Sequence, residues 1–335
     1  IKTGTGVDVD DTTTTEAAVT SIYNYNSIIS SSAGGIHAYN DTNVYNDGDI
    51  YSAGVGIHAG NDEDANSTSI TVTNAANGYI ETSDGPGIMV HDDAFVLNEG
   101  EIYSYSNGIK AGTGIDYNSA TISEAAVSTI INAAGGIIAP SNGPGINAYN
   151  DYSVYNYGEI DTVGPGIKVG NSSGDGNTVV TVANYNSITS IDGAGIHVTY
   201  NDIVLNDLGA TIVSETDSGI YVYDGNTITN VGSIDSLNSY GIEMDDDNTV
   251  YNYGTVNAAI FGIYGDSGNR LVQYESVSSI TSYNSAIYFS GDENLVEIYD
   301  GEVVSYNTAI HAPGANNLIY NEGVVEAIGD GNYAV

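Results

Sequence analysis

The 335-residue sequence has no cysteine, no tryptophan, only five prolines and only four lysines or arginines. Without a thiol there is no disulfide framework, no thiolate nucleophile and no Cys-ligated zinc or iron-sulfur cluster. The four cations face 43 Asp and Glu residues, for a formal charge of −39. Displacing counterions from phosphates takes Lys and Arg, so no nucleic-acid partner is expected, and an anionic membrane surface is disfavoured for the same reason. No run of about 18 apolar residues occurs, so no helix is expected to insert in a bilayer. The first residue is Ile1 rather than Met, as in a mature or excised segment.

What is present is a repeat. Hydrophobic residues make up 41% of the chain and charged ones 14%, enough apolar material for a core despite the net charge. The dipeptide Gly-Ile, in places Ala-Ile, recurs with its Ile at 36, 57, 88, 109, 146, 167, 196, 220, 242, 263, 287 and 310. Ile1 opens a copy of the segment that begins at Ile109, and Ala334-Val335 takes the dipeptide position of a following copy, which makes thirteen units. A short unit such as GINAYNDYSVYNYGEIDTVGP, from Gly145 to Pro165, alternates apolar and polar residues in three bursts separated by Gly, Asn, Asp or Pro. Period two means strands, and three short strands per unit of about 21 residues is the periodicity of a parallel β-solenoid with one coil per unit. The predicted fold is therefore all-β: a single β-solenoid domain over residues 1–335. Long and short coils alternate over 1–219, the long ones carrying hairpin-like insertions after the first strand, and uniform coils follow over 220–335.

Within a coil, the Ile of Gly-Ile, the Val of Val-Tyr-Asn (Val44, Val154, Val250) and the Ile of the next burst (Ile50, Ile102, Ile160) are expected to point inward and stack on their copies. The Gly before the Ile and the Gly of Asn-x-Gly (Gly48, Gly100, Gly158, Gly254, Gly323) are read as corner residues needing positive φ. Asn46, Asn98, Asn156, Asn252 and Asn321 recur at one corner, where amides one coil apart can form a ladder. The pattern Asn46-Asp47-Gly48-Asp49-Ile50-Tyr51-Ser52 leading to Gly56-Ile57 resembles the coil repeats of bacterial autotransporter-type passengers and related surface adhesins. That resemblance covers essentially the whole chain and implies a β-helix at an extracellular or cell-surface location. It says less about function, because such repeats serve adhesins, surface layers, filaments and phage fibres. The chain departs from the usual passenger in having no recognisable C-terminal barrel and in its abundance of Tyr and Asp.

Outward positions are the candidates for chemistry. The residue after each Gly-Ile forms a column that includes Lys2, His37, His58, Lys110, Lys168, His197 and His311, with His91 two residues beyond Met89, so every Lys and His falls on one sheet. Coils about 4.8 Å apart keep these groups in register. They form a weakly cationic lateral stripe suited to the acidic side of a neighbouring filament or to an anionic glycan. Tyr45, Tyr155, Tyr157, Tyr251, Tyr253 and Tyr320 flank the corner Asn and are expected to stack or to hold a sugar or protein partner. Asp8, Asp10 and Asp11, then Asp62, Glu63 and Asp64, then Asp245, Asp246 and Asp247 gather oxygen donors in loops, and calcium is the one cofactor for which the sequence offers ligands. No nucleophile elbow, HExxH helix or phosphate loop is present, and His37 with His58 lacks a third ligand at zinc spacing, so catalysis is not expected.

No helical cap is legible at either end, and a bare solenoid edge recruits further strands. Ile1 and Lys2 at one end and Ala334 and Val335 at the other are in the same phase of the repeat, so either the segment was cut from a longer solenoid or copies stack head to tail. The function expected first is a structural subunit of an extracellular filament or surface matrix, a homopolymer of this chain. The alternatives are an adhesin stalk that binds glycans or host surfaces, and a β-helical polysaccharide-degrading enzyme or phage tailspike.

Overall fold

The structure, a computed structural model, describes residues 2–3, 20–38, 42–60, 70–91, 94–112, 128–148, 152–170, 179–329 and 333–335. Among them are 39 strands and no helix, hence no helix long and apolar enough to cross a membrane. The chain divides into two compact units, Ile1–Val163 and Gly164–Val335.

In the first unit the strands come in six successive triplets, and each strand pairs in parallel with the strand three places on, giving three parallel sheets. The Gly-Ile strands align Ile36 with Ile57, Ile88, Ile109 and Ile146. The second strands align Ile22 with Val44, Val72, Val96, Ile130 and Val154. Seven triplets follow the same rule in the second unit, where Ile167, Ile196, Ile220, Ile242, Ile263, Ile287 and Ile310 share one row. Each unit is thus a parallel β-solenoid, as the repeat predicts. The inward Ile and Val residues are buried, most of them completely, and each contributes about 2 kcal/mol by leaving water. The hairpin-like insertions fall at residues 4–19, 61–69, 113–127 and 171–178, outside the described residues.

The glycine expectation is corrected. None of the glycines preceding the Ile, and none of Gly48, Gly100, Gly158, Gly254 and Gly323, has positive φ; that conformation occurs instead at Gly60, Gly112, Gly135, Gly170, Gly209, Gly225, Gly268 and Gly301. The recurrent glycines answer to close approach between coils. A Cβ on Gly108 would lie 2.2 Å from Ile138 Cγ2 and 2.5 Å from the Gly145 carbonyl oxygen, and one on Gly100 would lie 2.1 Å from the Gly78 oxygen. A backbone stacked this tightly has no room for a side-chain atom.

The amide ladder exists and is longer than expected. In the first unit Asn24 donates through Nδ2 to Asn46 Oδ1, and the chain continues through Asn74, Asn98, Asn132 and Asn156 with bonds of 2.7–2.9 Å. The second unit repeats it from Asn184 through Asn206 and Asn230 to Asn252, at 2.9–3.0 Å. The other Nδ2 proton reaches a carbonyl at the start of a third strand, for example Asn98 to Ile137 O and Asn230 to Thr255 O. Asn321 is the exception. It is exposed, pairs in register with Ile298, and its Oδ1 accepts the Gly323 N–H instead.

The second ladder ends at Gln273, which occupies the position next to Asn252. Gln is one methylene too long: its Nε2 donates to Glu302 O at 3.1 Å, while Asn252 Nδ2 and Gln273 Oε1 are both buried without a hydrogen-bond partner. Gln273→Asn is therefore expected to join the two groups and raise stability by about 1 kcal/mol. The denaturant midpoint reads this directly, and an unchanged or lowered midpoint would contradict it.

Candidate functional site

The first-strand row places the lateral stripe where the repeat puts it. In the first unit Lys2 aligns with His37, His37 with His58, His58 with Met89 and Met89 with Lys110; in the second, Lys168 aligns with His197 and Tyr288 with His311. His37, His58, Met89, Lys110, Lys168, His197 and Tyr288 are half-buried and His311 is exposed. The His37 and His58 rings meet edge to face, with centroids 4.8 Å apart. His91, past the end of its strand, is buried, and its Nε2 lies 2.7 Å from His58 Nε2.

Toward the C-terminus the same row turns aromatic. His197 packs against Tyr221 and Tyr223, and Tyr240, Phe261, Tyr264 and Tyr288 form a nearly parallel stack. Burial, assisted by the Lys168 charge, lowers the His197 pKa to about 4, so this residue adds no positive charge to the stripe at neutral pH. Because the unfolded imidazole titrates near 6.5, the native state binds fewer protons between pH 6.5 and 4, and stability falls as pH drops through that window. Glu243 and Asp245 act in the opposite sense. Burial first, then neighbouring carboxylates, raise both pKa values, partly offset at Glu243 by the Ser218 hydroxyl, so acidification favours the native state through them. The difference between wild type and His197→Gln isolates the imidazole. The variant is expected to gain about 2–3 kcal/mol on wild type between pH 6.5 and pH 4, and parallel pH profiles would contradict this.

The acidic loop Asp245–Asp247 sits at a corner of the second unit. Asp246 Oδ1 accepts the Ser267 N–H at 2.8 Å, and Asp224 Oδ1 accepts the Asp246 N–H at 3.1 Å, so these carboxylates tie one turn to the next. Among the described residues no group of three or more His, Asp or Glu side chains is arranged to hold a metal ion. Asp8, Asp10, Asp11, Asp62, Glu63 and Asp64 lie outside the described residues, as does Ile1. Arg270, the one cation off the stripe, pairs with Glu297 at 2.6 Å and lies over the Tyr251 ring.

The C-terminal edge is organised as the repeat predicts. Ile310 N–H donates to Ala334 O at 3.0 Å, the bond that Ile36 makes to Gly56 O, so Ala334-Val335 sits in the Gly-Ile position. The last second and third strands, Leu318–Asn321 and Val324–Ala327, pair on one side only among the described residues. Their inward Ile319 and Val325 are half-exposed, whereas the residues in register with them, Val296 and Val303, are buried. Leu318 and Val324 are 62% and 52% exposed.

Two polar rows escaped the sequence reading. Asp202, Asn226, Asn248, Asn269, Asn294 and Asn317 form a separate side-chain-to-backbone ladder, each amide oxygen accepting the backbone N–H of the preceding member at 2.8–2.9 Å. Their signal is an acid or amide just before each second strand from Asp202 onward, which reads as an ordinary turn residue. The Ser/Thr of the coil pattern is also structural: Ser52, Ser104, Ser214 and Ser305 turn inward, and each hydroxyl donates to a corner carbonyl. No family model, no curated protein and no solved structure matches this chain.

Proposed function

We propose that this chain is a structural subunit of an extracellular filament or surface matrix, with no catalytic step, in which solenoid edges join by parallel strand pairing. The observation that carries the reading is the coil stack of each unit, in which every strand pairs in parallel with its counterpart in the adjacent coil. Strands Leu318–Asn321 and Val324–Ala327 follow the same pairing rule, and their half-exposed Ile319 and Val325 fit the matching strands of a further coil, whether of this chain or of another copy. The resemblance to passenger-type repeats supports a surface location, and the Lys/His stripe and Tyr rows supply lateral contacts between neighbouring acidic filaments. An adhesin stalk is the second reading, resting on exposed tyrosines such as Tyr320. It is weakened by the way Tyr253, Tyr274 and Tyr299 stack at 5.1–5.4 Å, nearly parallel, because rings that cover one another's faces leave only edges for a sugar.

Joining edges brings chains of charge −39 together, so assembly is expected to rise with screening. Sedimentation velocity of the 335-residue chain should show species that grow with protein concentration and grow further in about 0.5 M salt than in about 0.01 M salt. Ile319→Asp and Val325→Asp, which place charge on the open face, should hold the chain monomeric while leaving the melting transition nearly unchanged. A wild-type monomer at all concentrations and salts would refute the proposal.

A further inference from the structure

The strands Ile57–Ala59 and Ile88–Val90 are neighbours in the first-unit sheet. They bring His58 and His91 together across 33 residues of chain, with Nε2 atoms 2.7 Å apart and ring planes 55° apart. The meeting is prepared by the backbone. His91 N–H donates to Ala59 O at 3.1 Å, which fixes where its side chain leaves the chain. Gly60, at φ +94°, clears the space beside it, since a Cβ there would lie 3.1 Å from His91 Cβ. His37 packs edge-on against His58, and Gly34 makes room for that ring: a Cβ at Gly34 would lie 2.7 Å from His37 Nε2.

We propose that His58 and His91 form a two-imidazole site for a divalent transition-metal ion, with Cu2+ the best fit and water completing the coordination. Neutral imidazole nitrogens are ligands of the borderline metals, and hard cations such as Ca2+ take oxygen instead. Geometry separates the candidates. Two nitrogens about 2.0 Å from one ion lie about 2.8 Å apart at the 90° of a square-planar edge and about 3.3 Å apart at a tetrahedral angle. The 2.7 Å spacing is therefore close to that of Cu2+ or Ni2+ and has to open further for Zn2+. Binding replaces the proton shared between the two Nε2 atoms, and the donating ring carries its proton on Nδ1 instead. His58 is half-buried and His91 buried, and among the described residues no third His, Asp or Glu completes a metal-holding group, so the remaining ligands are water.

The test is titration of the full chain with Cu2+, Zn2+ and Ca2+ by calorimetry, with electron paramagnetic resonance of the copper form. One equivalent of Cu2+ is expected to bind at least tenfold more tightly than Zn2+, with coupling to two nitrogens in the spectrum and no response to Ca2+ at this site. His58→Gln, at a half-exposed strand position, should weaken Cu2+ binding at least tenfold, and so should His91→Gln if its melting transition shows it folded; His311→Gln should not. Equal copper affinity in wild type and His58→Gln, or a spectrum without two nitrogen ligands, would overturn the proposal.

Discussion

Alanine at Gly108 is expected to destabilise the first unit by about 2–3 kcal/mol, the range in which an overpacked core forces backbone shifts. The new Cβ would collide with Ile138 Cγ2 at 2.2 Å and with the Gly145 carbonyl oxygen at 2.5 Å. Neither atom can move freely: Ile138 is completely buried, and the Gly145 oxygen accepts the Ile109 N–H at 2.9 Å. The control is Gly135, whose φ of +91° strains any L-residue but whose Cβ would meet nothing within 4 Å. Gly135→Ala is therefore expected to cost only about 1–2 kcal/mol, through backbone conformation alone. Chemical denaturation of both variants ranks them, and a Gly135 variant less stable than the Gly108 variant would show that conformational freedom, not coil spacing, selects these glycines.

Removing one rung from the amide ladder should be at least as damaging. Asn98 accepts from Asn74 Nδ2 at 2.9 Å and donates to Asn132 Oδ1 at 2.8 Å, with no exposure to solvent. Asn98→Ala leaves the Asn132 oxygen without its amide donor and opens a polar void, an expected loss of about 3 kcal/mol. Asn98→Asp should cost more, because a carboxylate would face the Asn132 oxygen where an N–H is needed and would carry charge into the interior. Asn321→Ala, at an exposed position off the ladder, should change stability by no more than about 0.5 kcal/mol. Urea midpoints for the three variants test this series, and similar losses at Asn98 and Asn321 would mean that the ladder adds nothing beyond turn formation.

The parts of the fold legible from sequence are those that stacking forces into repetition. Each inward Ile must fit the Ile of the adjacent coil, so the Gly-Ile row, its register and the outward column of Lys and His could all be placed. Reasons were harder to read than positions. Glycine is selected both by positive φ and by close approach, and the two leave the same letter; only coordinates show that Gly100 lies against the Gly78 carbonyl. The Asn ladder was seen at several Asn-x-Gly sites and missed at Asn24, Asn74, Asn132, Asn184 and Asn206, where the next residues differ but the buried amide does the same work, and also at Asn230, which does carry x-Gly after it. The meeting of His58 with His91 depends on the bond from the His91 N–H to Ala59 O just past the strand end, and spacing alone does not state that. Of the column, the alignment of its residues was therefore legible and the close approach of His58 to His91 was not.

Electron imaging combined with fibre diffraction of the purified chain tests the central proposal most directly, that coils of separate copies continue one another by parallel strand pairing. Filaments with a meridional spacing of about 4.8 Å, the distance between paired strands, are the predicted result. Dispersed single particles at every protein and salt concentration, or filaments whose strands run along the axis, would contradict it.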